Sequence, residues 1–310
     1  MWIKHLTVNN CRLLKNVSLD FSPKLNLIIG PNASGKTSLL ESLSILSNGR
    51  SFRSSHISEV ITHGKQSVLI AAVINDEDSQ VNIGIEKSTE KTKIRINHRD
   101  IFSQAELSSH LPITVIHPNS VELITGPPSL RRSYVDWIAF YIFPDFLQKW
   151  KEYKHILKQR NICLKHKKHQ YALNKWTKEL VTLQPLIADY RSKVVEMIKP
   201  ILTKTADHLL SGVSFDLEYQ SGFPSDLDLS VDSLLEYYES KKEIDLKLKR
   251  TSAGFNRSDV IILMDSKPAS QAASRGQLKL LAISLLLTQN NTIGDTKSGN
   301  GILLIDDLAA

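Results

Sequence analysis

The chain has 310 residues and a formal net charge of +7, and 41% of its residues are hydrophobic while 23% are charged. This composition is typical of a globular protein and excludes a disordered, collagen-like or disulfide-stapled chain. Its two cysteines, Cys11 and Cys163, indicate a reducing compartment. The apolar stretches are shorter than a membrane-spanning helix and the first residues lack the pattern of a secretory signal, so we expect a cytoplasmic protein.

The first hundred residues predict a mixed α/β region. Alternating or continuous apolar residues predict strands over Trp2 to Val8, Val17 to Phe21 and Leu25 to Ile29. Apolar residues three and four positions apart predict an amphipathic helix from Leu39 that ends at Gly49. Further strand-like alternation follows between Val68 and Asn97.

The middle of the chain predicts two long amphipathic helices, over Phe140 to Leu157 and Leu183 to Ile201. Between Lys151 and Lys204 there are 13 Lys or Arg residues and four acidic ones. Such a basic segment is typical of a surface that meets phosphate backbones, and it is also typical of an ordinary solvated helix surface.

An eight-residue segment from Gly30 to Thr37 fits the phosphate-binding pattern G-x-x-x-x-G-K-[ST] between a predicted strand and a predicted helix. In this pattern, backbone N–H groups and the helix N-terminus surround phosphates. We expect Lys36 to pair with the β and γ phosphates and the Thr37 hydroxyl to ligate Mg²⁺. The candidate nucleotide-binding residues are Gly30, Pro31, Asn32, Ala33, Ser34, Gly35, Lys36, Thr37 and Ser38.

An apolar segment near the other end, Gly301 to Ile305, is followed by Asp306 and Asp307. In a P-loop protein the first acid is the expected magnesium partner, and the next position holds the base that orients the attacking water. We therefore assign Asp306 to Mg²⁺ and Asp307 to catalysis. Asp306 lies 270 residues after Lys36, which excludes a small GTPase-like fold and requires a large intervening lobe.

A third motif, Ser274-Arg275-Gly276-Gln277, precedes a helix-like run. By itself it is typical of a helix cap, whose hydroxyl and N–H groups can also receive an anion. Between a P-loop and its acidic strand it resembles the signature motif of ABC-type ATPases. Ser274, Gly276 and Gln277 are therefore further candidate nucleotide contacts.

These motifs together resemble the RecF family of bacterial DNA replication and repair ATPases. The residues that carry the resemblance are Leu6 to Arg12, Gly30 to Ser38, Gly49 to Arg53, Leu111 to Pro118, Gly126 to Arg132 with Asp136-Trp137, and Ser274 to Lys279. The resemblance implies an α/β fold, a P-loop ABC-type ATPase head with an inserted, mainly helical lobe. The expected parts are the N-terminal half of the head over 1–120, the basic lobe over 121–250, and the C-terminal half over 251–310.

The resemblance also implies a function. ATP and Mg²⁺ would join two copies into a homodimer, with Ser274 and Gly276 on the γ-phosphate of ATP bound to the second copy. The dimer would clamp duplex and gapped DNA and act with the mediators RecR and RecO in replication, recombinational repair of gaps and the SOS response.

The chain also departs from the family pattern. It reads Cys11-Arg12-Leu13-Leu14 at the first turn and Gly254-Phe255-Asn256-Arg257 in a later loop. The sequence stops three residues after Asp307, so we expect a fragment or a truncated head in which ATP hydrolysis is weak or absent. Arg12 and Arg53 fit either phosphate or adenine contacts or surface ion pairs.

Three alternative functions remain open from the sequence. One is another SMC-like or ABC-type ATPase, and another is the nucleotide-binding subunit of a transporter, against which the long basic lobe argues. The third is a binding module that holds ATP and DNA without hydrolysis.

Overall fold

The structure, a computed structural model, describes residues 1–76, 79–210, 212–296 and 301–307. The chain divides into two compact units, one formed by Met1–Asn119 with Gln289–Ala310 and the other by Ser120–Thr288. The strands are β1 (Trp2–Cys11), β2 (Leu14–Asp20), β3 (Ser67–Asp76), β4 (Ser79–Ser88), β5 (Thr92–Ile96), β6 (Arg99–Ile101), β7 (Ile113–Ile116), β8 (Phe215–Gln220), β9 (Asp259–Met264), β10 (Lys267–Pro268) and β11 (Ile302–Ile305). The helices are α1 (Lys36–Asn48), α2 (Gln104–His110), α3 (Glu122–Thr125), α4 (Pro128–Ile142), α5 (Phe146–Lys165), α6 (Leu173–Asp207), α7 (Val231–Ser240), α8 (Lys242–Leu248), α9 (Ala269–Ala272) and α10 (Arg275–Thr296).

The first unit contains a six-stranded antiparallel sheet in the order β2-β1-β3-β4-β5-β6. Alternate residues of each strand face the core, as the period of two in β1 and β3 predicts; Leu6 and Val8 of β1 and Ile70 of β3 are fully buried. A second sheet pairs β11 with β7 in parallel, from Ile302 opposite Ile113 to Ile305 opposite Ile116. This pairing brings the end of the chain beside its first half.

Helix α1 packs into the same core as these strands, and residues Ser38 to Ser47 are all buried. The predicted helix is therefore present, but it is enclosed on every side and has no exposed polar face. Its buried polar groups find local partners, since the Ser42 hydroxyl donates to the Leu39 carbonyl at 2.7 Å and the Ser47 hydroxyl donates to the Leu111 carbonyl at 2.7 Å.

The strand predicted over Leu25 to Ile29 is wrong. Leu25, Leu27 and Ile29 are 75%, 76% and 88% exposed, and no described residue pairs with this segment in a sheet. Instead, the Asn26 side chain closes a local loop, accepting from the Ser22 N–H at 2.7 Å and donating to the Ser22 carbonyl at 2.9 Å. An apolar run alone does not make a strand, because a strand also needs a partner for its backbone groups.

The second unit is mainly helical. The helix predicted over Leu183 to Ile201 is confirmed within α6. The helix predicted over Phe140 to Leu157 is wrong as a single helix, because α4 ends at Ile142 and α5 begins at Phe146. A 3-10 turn over Lys167–Ala172 connects α5 and α6. They pack with α4 and α10 and with the antiparallel sheet β10-β9-β8 around one core. Residues 251–288 belong to this unit. The sequence predicts a different division, with head halves over 1–120 and 251–310 and a lobe over 121–250, and that division stays a prediction.

Two arginines of this unit are buried with carboxylate partners. Arg191 of α6 donates to Asp136 of α4 through Nε and Nη2 at 2.7 and 2.8 Å. Arg160 of α5 donates to Asp245 of α8 at 2.7 Å, and both side chains are buried, at 1% and 0% exposure. Across the described parts of the chain, no helix combines the length and the apolar character needed to cross a bilayer.

Candidate functional site

The loop from Gly30 to Lys36 adopts backbone conformations that suit small residues. Ala33 and Gly35 have φ angles of 63° and 97°, in the left-handed region. A Cβ at Gly35 would lie 2.8 Å from Cδ2 of Leu14, and a Cβ at Gly30 would lie 2.9 Å from the Ser34 hydroxyl oxygen. Gly35 is therefore favoured by its left-handed conformation, and a Cβ at either glycine would displace the end of a neighbouring side chain.

Helix α1 begins at the end of this loop without a side-chain cap. Gly35 is its N-cap residue, and the first backbone bond of the helix runs from the Leu39 N–H to the Gly35 carbonyl at 2.9 Å. The N–H groups of the first turn and the positive end of the helix dipole are thus available for an anion. This is the arrangement that the sequence motif predicts.

Lys36 points back along the loop. Its Nζ donates to the carbonyl oxygens of Gly30 and Pro31, each at 2.9 Å. These two bonds hold the ammonium group against the carbonyl groups at the start of the loop.

Thr37 connects the loop to the distant acid. The Thr37 hydroxyl donates to Oδ1 of Asp306 at 2.9 Å, across 269 residues of sequence. The parallel pairing of β11 with β7 fixes this contact, because the Asp306 N–H donates to the Ile116 carbonyl at 2.8 Å directly after the strand. The structure therefore brings together Lys36, Thr37 and Asp306, as expected from the sequence.

Asp307 follows as an exposed residue with a φ of 49°. A non-glycine residue in the left-handed region carries backbone strain, and such strain is concentrated at functional sites. Its carboxylate is open to solvent.

Ser274, Gly276 and Gln277 lie in the second unit, at the start of α10. The Ser274 N–H donates to Oε1 of Gln277 at 2.8 Å, and the Gln277 N–H donates to the Ser274 hydroxyl at 3.4 Å. These reciprocal bonds form a capping box. Ser274 and Gly276 are both exposed, and a Cβ at Gly276 would find no atom within 4 Å.

Arg12 is an ion-paired residue. Its Nε and Nη2 donate to the two carboxylate oxygens of Glu41, each at 2.9 Å, and its Nη1 donates to the Glu59 carbonyl at 2.7 Å. Glu41 lies on α1, its side chain is fully buried, and it also accepts from the Ser51 hydroxyl. The hydrogen bond to Glu41 raises the pKa of Arg12. Arg53 is exposed.

The residues that hold the loop in place, Glu41 and Leu14, were not predicted from the sequence. Glu41 and Leu14 hold the turn after β1 against α1 and Gly35. Burial, and secondarily the charge of Glu41, raises the pKa of the neighbouring Cys11 thiol to about 12, so this cysteine is neutral and unreactive. No sequence motif marks these residues; the one signal was a glutamate inside an otherwise Ser- and Leu-rich helix.

The family model described as the RecF/RecN/SMC N terminal domain matches residues 2–310. The DNA replication and repair protein RecF of Psychromonas ingrahamii is 33% identical over 311 residues, which cover 100% of this chain and 86% of that protein. The RecF protein of Stutzerimonas stutzeri is 34% identical over 312 residues, covering 99% of this chain and 83% of that protein.

Comparison with solved structures indicates the same family. A structure of the recombination mediator protein RecF with ATP, from the RecFOR pathway, has a TM-score of 0.92 and 26% identity, and the match covers 99% of this chain and 85% of that one. The Smc head domain of Pyrococcus furiosus is also similar, with a TM-score of 0.54 over 98% of this chain and 89% of that one. Its sequence identity is 16%, so this similarity supports the fold only. The predicted ABC-type head is confirmed, and the chain belongs to the RecF family of DNA replication and repair proteins.

Proposed function

We propose that this chain binds ATP with Mg²⁺ at the Gly30–Thr37 loop, and that ATP binding joins two copies of the chain on DNA. The observation that carries the proposal is the 2.9 Å contact between the Thr37 hydroxyl and the Asp306 carboxylate. This contact places the two expected magnesium partners together at the uncapped N-terminus of α1, where an anion is stabilised.

The residues fit a Mg²⁺ ion bound together with phosphates. Magnesium prefers oxygen ligands and takes only one or two from the protein when phosphate supplies others. Thr37 and Asp306 provide such oxygens, and in the described part of the chain no cluster of three acidic, histidine or cysteine side chains could hold a metal alone. When bound there, Mg²⁺ neutralises phosphate charge. Lys36 contributes a further positive charge to the β and γ phosphates.

The remaining P-loop residues enclose the phosphates through their backbone. Pro31, Asn32, Ala33 and Ser34 are exposed and present the loop to the ligand, while Ser38 is buried in α1 and fixes the position of the helix. The RecF structure with ATP supports ATP as the nucleotide.

Ser274, Gly276 and Gln277 bind the γ-phosphate of ATP held by a second copy. The capping box at the start of α10 holds the Ser274 hydroxyl in place, and the open space around Gly276 allows a phosphate to approach the backbone. ATP thus lies between two copies, and its hydrolysis releases them.

Asp307 orients the attacking water. Because an aspartate reaches less far than a glutamate, turnover is slow, which suits a switch that closes on DNA and opens again. The partners are duplex and gapped DNA together with RecR and RecO, which the family membership and the similarity to a RecF structure of the RecFOR pathway support.

The test compares Lys36→Ala with the matched control Lys24→Ala, an exposed lysine outside the loop. Calorimetric titration with ATP and Mg²⁺ measures binding, and the solution mass with and without ATP measures dimer formation. We expect Lys36→Ala to lose both ATP binding and the ATP-dependent dimer while Lys24→Ala keeps both. Full ATP affinity in Lys36→Ala would refute the site.

A further inference from the structure

The outer face of α5 carries a row of lysines, Lys151, Lys154, Lys158 and Lys165, here called the α5 lysine row. All four are exposed. Their spacing of three, four and seven residues places them on one side of the helix, opposite the buried Ile156. At 1.5 Å of rise per residue the row is about 21 Å long.

The charges of this row are not neutralised within the described structure. No acidic side chain described here lies within ion-pair distance of any of the four lysines, and the nearby Glu152 pairs with Lys149 at 3.5 Å instead. The helix α6 differs in this respect, since Lys175 and Lys193 each pair with an acid one turn away. The helix α5 carries six Lys or Arg residues and one acid, whereas α6 carries six and four, so the net positive charge is higher along α5.

Aromatic side chains flank the row. The ammonium group of Lys154 lies 5.3 Å from the centre of the Trp150 ring. Beyond the end of α5, in the 3-10 turn that leads to α6, the Tyr171 ring is 87% exposed. This ring follows the row six residues after Lys165 in the chain. Cations that follow a backbone, combined with an exposed ring on which a base stacks, are typical of sites that bind nucleic acid with unpaired bases.

The shape and composition of the face favour a nucleic acid over an acidic protein. Protein interfaces need an apolar centre, but no large apolar side chain of α5 is exposed. A nucleic-acid strand carries one phosphate per about 3.4 Å of duplex axis, so the row spans about six phosphates.

We propose that the α5 lysine row binds the phosphate backbone of DNA and that Tyr171 stacks on an unpaired base where a duplex meets a single strand. This proposal rests on the proposed action on DNA but does not depend on ATP. It assigns to α5 the part of the basic segment that contacts DNA.

The experiment replaces all four lysines of the row with glutamine. The matched control makes the same charge change at four ion-paired lysines of the same unit: Lys175, Lys193, Lys199 and Lys242. Fluorescence anisotropy measures the affinity of each protein for a labelled duplex, blunt or with a single-stranded tail, between about 50 and 200 mM salt and without ATP.

We expect the row variant to lose about tenfold or more in affinity and its log–log salt slope to become shallower by about 3, while the control variant changes little. Equal losses in the two variants would show an effect of net charge alone and would overturn the proposal. So would equal displacement of DNA by polyglutamate and by unlabelled DNA, which would indicate an acidic protein partner.

Tyr171→Ala and Tyr171→Phe test the stacking. We expect the alanine variant to lose about fivefold or more in affinity for the tailed duplex only, and the phenylalanine variant to keep it. Equal effects of the alanine variant on both duplexes would overturn this part. Two failures remain distinguishable: if the unaltered protein binds no DNA at low salt even after ATP and Mg²⁺ are added, the proposed function fails, whereas equal binding by the unaltered protein and the row variant refutes only the lysine row.

Discussion

The ion pair between Arg12 and Glu41 offers a quantitative test of how the P-loop helix is held. Glu41 is fully buried on α1 and accepts two hydrogen bonds from Arg12 and one from Ser51. Arg12→Met keeps much of the side-chain length but removes both charged bonds. A buried carboxylate that loses its cation destabilises a protein by about 3–5 kcal/mol.

Proton uptake limits this cost. A carboxyl group with an ordinary glutamate pKa of about 4.3 can be protonated at pH 7 for about 3.7 kcal/mol, and at pH 5 for about 1 kcal/mol. We therefore expect Arg12→Met to lower the free energy of unfolding by about 3–4 kcal/mol at pH 7 and by clearly less at pH 5. Arg12→Met combined with Glu41→Gln removes the charge as well, so the double variant should be more stable than Arg12→Met at pH 7.

Hydrogen exchange of the amides of α1 in increasing urea measures this free energy within the first unit. Glu41→Gln alone completes the double-mutant cycle and gives the coupling energy of the pair. A loss below about 1 kcal/mol at pH 7, or a loss that does not change between pH 7 and pH 5, would refute the reasoning.

Three further predictions concern other contacts. Asp306→Asn should weaken ATP binding in the presence of Mg²⁺ by about tenfold or more, because a charged ligand is lost, and should change Mg²⁺-free binding little in calorimetric titration. Arg160→Met should destabilise the protein by about 3–5 kcal/mol in urea unfolding, because it leaves Asp245 buried without its cation. Since burial raises the Cys11 pKa to about 12 from 9.0, only the unfolded chain loses this proton between pH 9 and 12, and Cys11 alone should lower the free energy of unfolding by about 1.4 kcal/mol per pH unit there, as measured by urea unfolding.

Each of these predictions has a control. Equal effects of Asp306→Asn with and without Mg²⁺ would contradict a metal-linked role. The double variant Arg160→Met with Asp245→Leu should be more stable than Arg160→Met alone, and the opposite order would contradict the argument from an unpaired charge. Cys11→Ala should make the fall in stability above pH 9 shallower, and an unchanged slope would assign the fall to other groups.

The turn from Gly30 into α1 was predictable because its pattern lies in eight consecutive residues. The glycines and Lys36 act through backbone and side-chain atoms of the same turn, so their spacing alone carries the information. Asp306 was predictable for a related reason, since an apolar strand that ends in acids has few other places in a P-loop fold. The structure adds the contact with Thr37, which no local pattern contains.

The error over Leu25 to Ile29 has a different cause. The apolar run is a real property of the sequence, but strand formation depends on a neighbouring backbone that the run cannot specify. Where no such neighbour is present among the described residues, the side chains remain exposed and Asn26 bonds locally instead. Strand predictions from apolar runs are therefore conditional on pairing, which is a property of the whole fold.

Arg12 shows how the choice of partner determines function. From the sequence, an arginine near a P-loop is equally suited to a phosphate or to a carboxylate. In the structure, its Nε and Nη2 are engaged by Glu41 and its Nη1 by the Glu59 carbonyl. Arg12 is therefore engaged in holding α1 against the turn after β1, and the proposed anion contacts of the loop do not include it.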